Sequence, residues 1–186
     1  RYVKCLYLFL GGTESAASLN ALNPTDLLGS YKGFFVGSPT LNTDGGFTPD
    51  DIEYFHSNFH PDGGGLTSLT GGGMFYYGTT NVTGGDYPIG LAANFFLAPN
   101  SNGTSGFLRC SGVTSTGVAA VPTDGFHWGG REVNSSTLKA YRNGTQYLSE
   151  SIAFNTGYAT DYPASRARIG GRQDLYTPSN DLSTVP

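Results

Sequence analysis

The feature that most constrains this chain is the dipeptide Asn143-Gly144, set inside the run Thr137-Leu138-Lys139-Ala140-Tyr141-Arg142-Asn143-Gly144-Thr145-Gln146-Tyr147-Leu148-Ser149-Glu150. A two-residue type I′ turn needs positive φ at both central positions. Asn tolerates that conformation and Gly adopts it freely, so the alternating flanks can close into an antiparallel hairpin of fixed register. Leu138, Ala140 and Tyr147 are assigned to this hairpin. A strand-like run precedes it at 125–131 and another follows at 166–171, so three or four strands meet here.

Further short strand patterns occur at 31–36, 74–77, 92–97, 107–110 and about 117–121, separated by turn clusters such as 42–46 and 99–103. Residues 51–59 allow a strand or a short helix, and the alternation of Ile52, Tyr54 and His56 with Glu53, Phe55 and Ser57 favours the strand. Asn23 and Pro24 offer a cap and first position for one helical turn over 24–28. Many short strands with no helix of ordinary length predict an all-β fold, an antiparallel two-sheet sandwich.

Composition agrees. The chain has 186 residues, 28 of them Gly; aromatics make up 13% and charged residues 13%, about half the usual charged share of roughly 25%. That length suits one domain with a real core. The expected domain runs over 1–172, with 173–186 a polar loop leading into sequence not present here. The net charge of −4 has no long like-charge run, which argues against a nucleic-acid surface. Arg166, Arg168 and Arg172 are the one basic concentration and read as a solvated face. No apolar run approaches the roughly 20 residues that cross a bilayer, so membrane insertion by a helix is not expected.

The order of these features resembles the concanavalin A-like and laminin-G-like jelly-roll superfamily. The resemblance rests on a strand ending at Arg131, the loop Asn134-Ser135-Ser136, the hairpin with Leu138, Tyr141, Asn143 and Gly144, and a later strand with Ile169-Gly170. The N-terminal half, with an apolar run over 3–10, Gly11-Gly12-Thr13, and Leu19-Asn20 leading to Asn23-Pro24, resembles versions found in bacteriophage and environmental proteins. The resemblance implies a concanavalin A-like jelly roll and a non-catalytic, lectin-like module of a larger assembly. That assembly would be a phage virion surface or tail, and the module would decorate it or attach it to a host glycan. A secreted bacterial carbohydrate-binding adhesion domain is the alternative. The implied partners are other subunits and a surface glycan, and the implied location is the virion surface or the extracellular space.

The superfamily includes glucanases, which need two carboxyls about 5 Å apart. Their Glu-x-Asp-x-x-Glu strand is absent. The nearest approach is Asp51-Ile52-Glu53 followed by His56, so no catalytic residues and no enzyme activity are expected. There is no Gly-x-Ser-x-Gly elbow, and His56, His60 and His127 match no recognised metal spacing.

Asn42, Asp44 and Asp50 could supply oxygen ligands for Ca²⁺, as on the loop rims of jelly-roll relatives, but an Asx-turn explains Asn42 and Asp44 more simply. No cofactor is expected, Ca²⁺ being the one alternative. Trp128, Tyr158, Asp161 and Tyr162 could together hold a sugar, through aromatic faces and a carboxylate. Trp128, the only tryptophan, sits mid-strand, where core packing is the more usual fate. Cys5 and Cys110 read as two buried thiols rather than a disulfide.

The run 3–10 reads as a first strand whose two faces, Cys5-Tyr7-Phe9 and Leu6-Leu8-Leu10, are both apolar. Leaving one face wet would forfeit several kcal/mol, at roughly 1.5–3 kcal/mol for each buried Leu or Phe. Leu6, Leu8 and Leu10 are therefore expected to form an assembly interface.

Overall fold

The computed structural model describes residues 3, 6–10, 13–18, 21–22, 32–43, 45–48, 53–57, 72–81, 88–91, 95–101, 103–110, 113–131, 136–153 and 168–169. Among the described residues the regular structure is β apart from one short helix, α1 (Glu14–Ala17), whose N-terminus is capped by Thr13 Oγ1 accepting from Ala16 N at 3.3 Å. The strands are β1 (Phe34–Val36), β2 (Thr40–Leu41), β3 (Phe47–Thr48), β4 (Tyr54–His56), β5 (Gly72–Gly78), β6 (Ile89–Leu91) and β7 (Phe95–Ala98). They continue as β8 (Ser105–Cys110), β9 (Val113–Thr114), β10 (Val118–Ala119), β11 (Gly125–Arg131), β12 (Thr137–Arg142), β13 (Thr145–Ser151) and β14 (Arg168–Ile169).

All strand pairs are antiparallel. One sheet has the order β1-β4-β14-β6-β7-β8-β10, with β9 also on β8; a second has the order β13-β12-β11-β5; β2 and β3 form a separate hairpin. The expected strands over 31–36, 51–59, 74–77, 107–110 and 125–131 are thus present in outline, as are the turn at 42–46 and the central hairpin. The expected helical turn over 24–28 lies outside the described residues, and α1 was not anticipated.

The core joins the two larger sheets. Leu97, Leu108 and Cys110 from β7 and β8 pack with Leu138, Ala140 and Leu148 from β12 and β13, and all six are buried. Beside β12 runs β11, where Gly129 permits a close approach to the other sheet: a Cβ there would stand 2.8 Å from Leu97 Cδ1 and 3.1 Å from Leu108 Cδ1. Cys110 is buried with Sγ 3.9 Å from the Gly72 carbonyl, while Cys5 lies outside the described residues.

The central hairpin turns as its dipeptide dictates, with φ of 48° at Asn143 and 82° at Gly144. Its register is not constant, however. Tyr141 faces Gln146 and Ala140 faces Leu148, so Tyr147 is a bulge. The bulge lets consecutive residues Tyr147 and Leu148 both turn toward the core, and the uniform register that alternation suggests is corrected to that extent.

The first strand is also corrected. Residues 6–10 belong to no strand, and Phe9 has a φ of 50° that an extended ladder cannot accommodate. Backbone bonds from Ala21 N to Leu6 O at 2.7 Å and from Gly46 N to Phe9 O at 2.8 Å tie this segment down instead. Ring packing compensates the strained φ: Phe9 meets Phe47 at 4.9 Å and Phe55 at 4.8 Å between centroids, and Tyr7 meets Phe55 at 4.7 Å. One side of the segment is therefore covered from within the chain. The other is open, with Leu8 50% and Leu10 55% exposed.

Candidate functional site: an aromatic sheet face

Successive residues of a strand point to opposite faces, and the register of β5, β11, β12 and β13 sorts their side chains accordingly. Met74, Tyr76, His127, Gly129, Leu138 and Ala140 share the inner face. Phe75, Tyr77, Phe126, Trp128 and Tyr141 share the outer one.

Phe75, Trp128, Tyr141 and Gln146 lie opposite one another in a row that crosses all four strands, and Tyr77 pairs with Phe126 beside it. Trp128 and Tyr141 lie 5.5 Å apart between ring centroids, and Phe75 and Phe126 5.9 Å apart. The Tyr141 hydroxyl donates to Gln146 Oε1 at 2.9 Å, holding an amide at the end of the row. Tyr77 is 72% and Phe126 44% exposed, with Phe75, Trp128 and Tyr141 half-buried. A Cβ at Gly73 would stand 3.1 Å from Trp128 Nε1, so that glycine leaves room for the indole beside β5.

These five rings form an apolar patch with hydroxyl and amide groups at its margin and, among the described residues, no charged side chain within it. Such a patch can stack on the C–H faces of a sugar. Lys139 lies farther along the same face, opposite Gly130 and Ser149.

The inner side of the same strands carries a polar cluster. His127 is wholly buried, stacked on Tyr76 at 4.9 Å with 3° between the planes and edge-on to Tyr147 at 6.0 Å. Arg142 donates to Asp124 through Nε to the carbonyl and Nη2 to Oδ1, both at 2.9 Å. Tyr76 donates its hydroxyl to the Thr123 carbonyl at 3.2 Å. Burial pushes the Tyr76 and Tyr147 phenols well above their ordinary range, Tyr76 also feeling Tyr147.

Of the residues expected to bind sugar, Trp128 lies on the outer face, outside the core cluster; Tyr158, Asp161 and Tyr162 lie outside the described residues. Phe75, Tyr77, Phe126 and Tyr141 were not anticipated. Their signal was the alternation of rings on two runs, but Met74-Phe75-Tyr76-Tyr77 is apolar throughout and hides which face is wet.

Asn42 is engaged in the β2–β3 turn, donating from its backbone to Gly46 O at 3.1 Å and from Nδ2 to Thr48 Oγ1 at 3.4 Å. Asp44 and Asp50, its expected companions in a calcium site, lie outside the described residues. Glu53 accepts from Ser38 N at 3.1 Å, and His56 is buried against the Phe34 ring at 4.6 Å. No family model, curated protein or solved structure matches this chain.

Proposed function

We propose that this chain is a non-catalytic, lectin-like module: a two-sheet sandwich of concanavalin A-like jelly-roll type that works within a larger assembly and holds a glycan across its aromatic sheet face. The observation that carries this reading is the set of five rings, Phe75, Tyr77, Phe126, Trp128 and Tyr141, gathered on one face of β5, β11 and β12 with two of them exposed. An aromatic patch without charge suits an uncharged saccharide, whose C–H surface stacks on rings while its hydroxyls reach the Tyr141 and Gln146 groups.

The assembly context is a phage virion surface or tail, which the sequence resemblance supports. The half-exposed Leu8 and Leu10 are consistent with a contact to another subunit. The segment with Tyr158, Asp161 and Tyr162 is a second candidate contact for the same glycan. A secreted bacterial adhesion domain would use the same ring face.

The test is a glycan array probed with wild type and with Trp128→Ala. Binding by wild type that Trp128→Ala abolishes supports the reading; a wild type blind to every saccharide overturns it. The proposal also requires that no reducing sugar be released from β-glucans. Turnover that Glu53→Gln removes would instead make the module an enzyme.

A further inference from the structure

We infer that His127 makes the ring face proton-sensitive: acid opens the β5–β11–β12 pairing from beneath and disorganises the rings above it. This rests on the proposed glycan site only for its consequence, the release of a bound saccharide at low pH.

The argument begins with alternation along β11. Phe126 and Trp128 point outward, so His127, between them, points inward, and its β5 partner Tyr76 lies between the outward-facing Phe75 and Tyr77. The Tyr76–His127 stack is thus the underside of the ring patch. Moving His127 moves the backbone that carries two of the five rings.

His127 is held in its neutral form. Its Nε2 bonds to the Asp124 carbonyl at 3.2 Å, and the Pro122 carbonyl also faces the ring. A carbonyl only accepts, so Nε2 carries the hydrogen and Nδ1 is left with a bare lone pair. Nδ1 is buried and has no partner among the described residues, as is the Tyr147 hydroxyl beside the same ring. A proton added at Nδ1 would create a buried cation with a new, unsatisfied donor.

The groups facing the ring are Tyr76 from β5, Arg142 from β12, Tyr147 from β13, and Asp124 and Pro122 from the segment before β11. The Asp124 carboxylate would welcome an imidazolium but is already paired with Arg142, whose own charge repels it. Burial is the dominant influence and lowers the affinity of the ring for a proton. The two backbone carbonyls and Asp124 work against that lowering, and Arg142 adds to it.

In the opened state the ring regains an ordinary pKa of roughly 6.5. The native state therefore binds fewer protons than the open one, and its stability falls as pH drops below that value. The limit is about a tenfold shift in the opening equilibrium per pH unit.

Hydrogen exchange of the 126–131 amides reads this opening directly and without ligand, so its outcome is independent of whether a glycan binds. In wild type, protection corrected for intrinsic exchange should fall between pH 7.5 and 5 by up to about tenfold per unit below roughly 6.5. In His127→Phe, which keeps a ring against Tyr76 but cannot be charged, that fall should vanish. Protection in wild type that ignores pH overturns the inference, as does an equal fall in His127→Phe. Should the variant not fold, the titration of the wild-type His127 imidazole by NMR decides: a midpoint well below 6.5 that tracks the loss of protection supports it, and a midpoint at or above 6.5 overturns it.

Discussion

Asn143 and Phe126 are joined twice: the Phe126 amide donates to Asn143 Oδ1 at 2.9 Å, and the Asn143 amide donates to the Phe126 carbonyl at 2.8 Å. The residue that makes the hairpin turn therefore also anchors the start of β11, and with it one of the exposed rings. Gly125 lies directly beneath, where a Cβ would come within 2.7 Å of both amide atoms of Asn143.

Replacing Asn143 by Ala removes the Oδ1 acceptor and places a Cβ-bearing residue with little tolerance at a φ of 48°. A loss of about 1–3 kcal/mol is expected in denaturant unfolding. Asn143→Gly keeps the turn and loses only the side-chain bond, so it should cost about 1 kcal/mol. Equal losses in both variants would mean that the backbone conformation contributes little.

At Gly129 the sheets meet so closely that even a methyl group must displace fully buried Leu97 and Leu108. Gly129→Ala is expected to cost about 1–3 kcal/mol in chemical denaturation. Adding Leu97→Val should recover part of that loss, because it withdraws the atom nearest the new Cβ. A double variant with strictly additive losses would contradict this account.

The two inner tyrosines should respond oppositely to loss of their hydroxyls. The Tyr147 hydroxyl is buried without a partner among the described residues, so Tyr147→Phe should be neutral or stabilising by about 1 kcal/mol. Tyr76→Phe breaks the bond to the Thr123 carbonyl and should destabilise by about 0.5–1.5 kcal/mol. Both phenols have pKa values raised by burial, so unfolding releases protons once pH exceeds the unfolded value of about 10. Stability should fall above that pH by up to about 1.4 kcal/mol per unit for each tyrosine, and less steeply in Tyr147→Phe. Thermal melts from pH 8 to 11.5 measure both effects.

On the ring face, Tyr77 is so exposed that Tyr77→Ala should change stability by no more than about 0.5 kcal/mol. If the patch holds a saccharide, the same change should weaken binding on a glycan array at least tenfold, as should Trp128→Ala. Tyr158→Ala combined with Tyr162→Ala separates the two candidate contacts. If only this pair abolishes binding, the site is at Tyr158 and Tyr162 and not on the ring face.

Leu8 and Leu10 project from a segment whose other side is already packed internally, so Leu8→Asp with Leu10→Asp should leave the melting temperature within a few degrees of wild type. Sedimentation should show concentration-dependent association in wild type and its loss in the double variant. A wild-type chain that is monomeric at all concentrations tested would remove the assembly role of these leucines.

The sequence by itself determined the local β features. Asn143-Gly144 specifies a type I′ turn because both residues tolerate positive φ, and the alternating run 125–131 becomes β11 with its expected ends. Low charge and abundant turn residues were enough to read the all-β class.

What the tertiary structure decided was which side of each strand is wet. A period of two says that Phe126 and His127 face apart, but not which of them meets the core. That choice depends on where Leu97 and Leu108 of the other sheet come to rest. The bulge at Tyr147 has the same origin, since packing Leu148 into the core and pairing Ser149 with Lys139 outweigh one regular ladder position. The run 6–10 gives the clearest reversal. Its strand-like alternation is local, whereas the aromatic cluster of Phe35, Phe47 and Phe55 that draws Phe9 to a φ of 50° is assembled from three distant strands. Ring packing against those strands, which no local pattern encodes, outweighs the cost of that single strained residue.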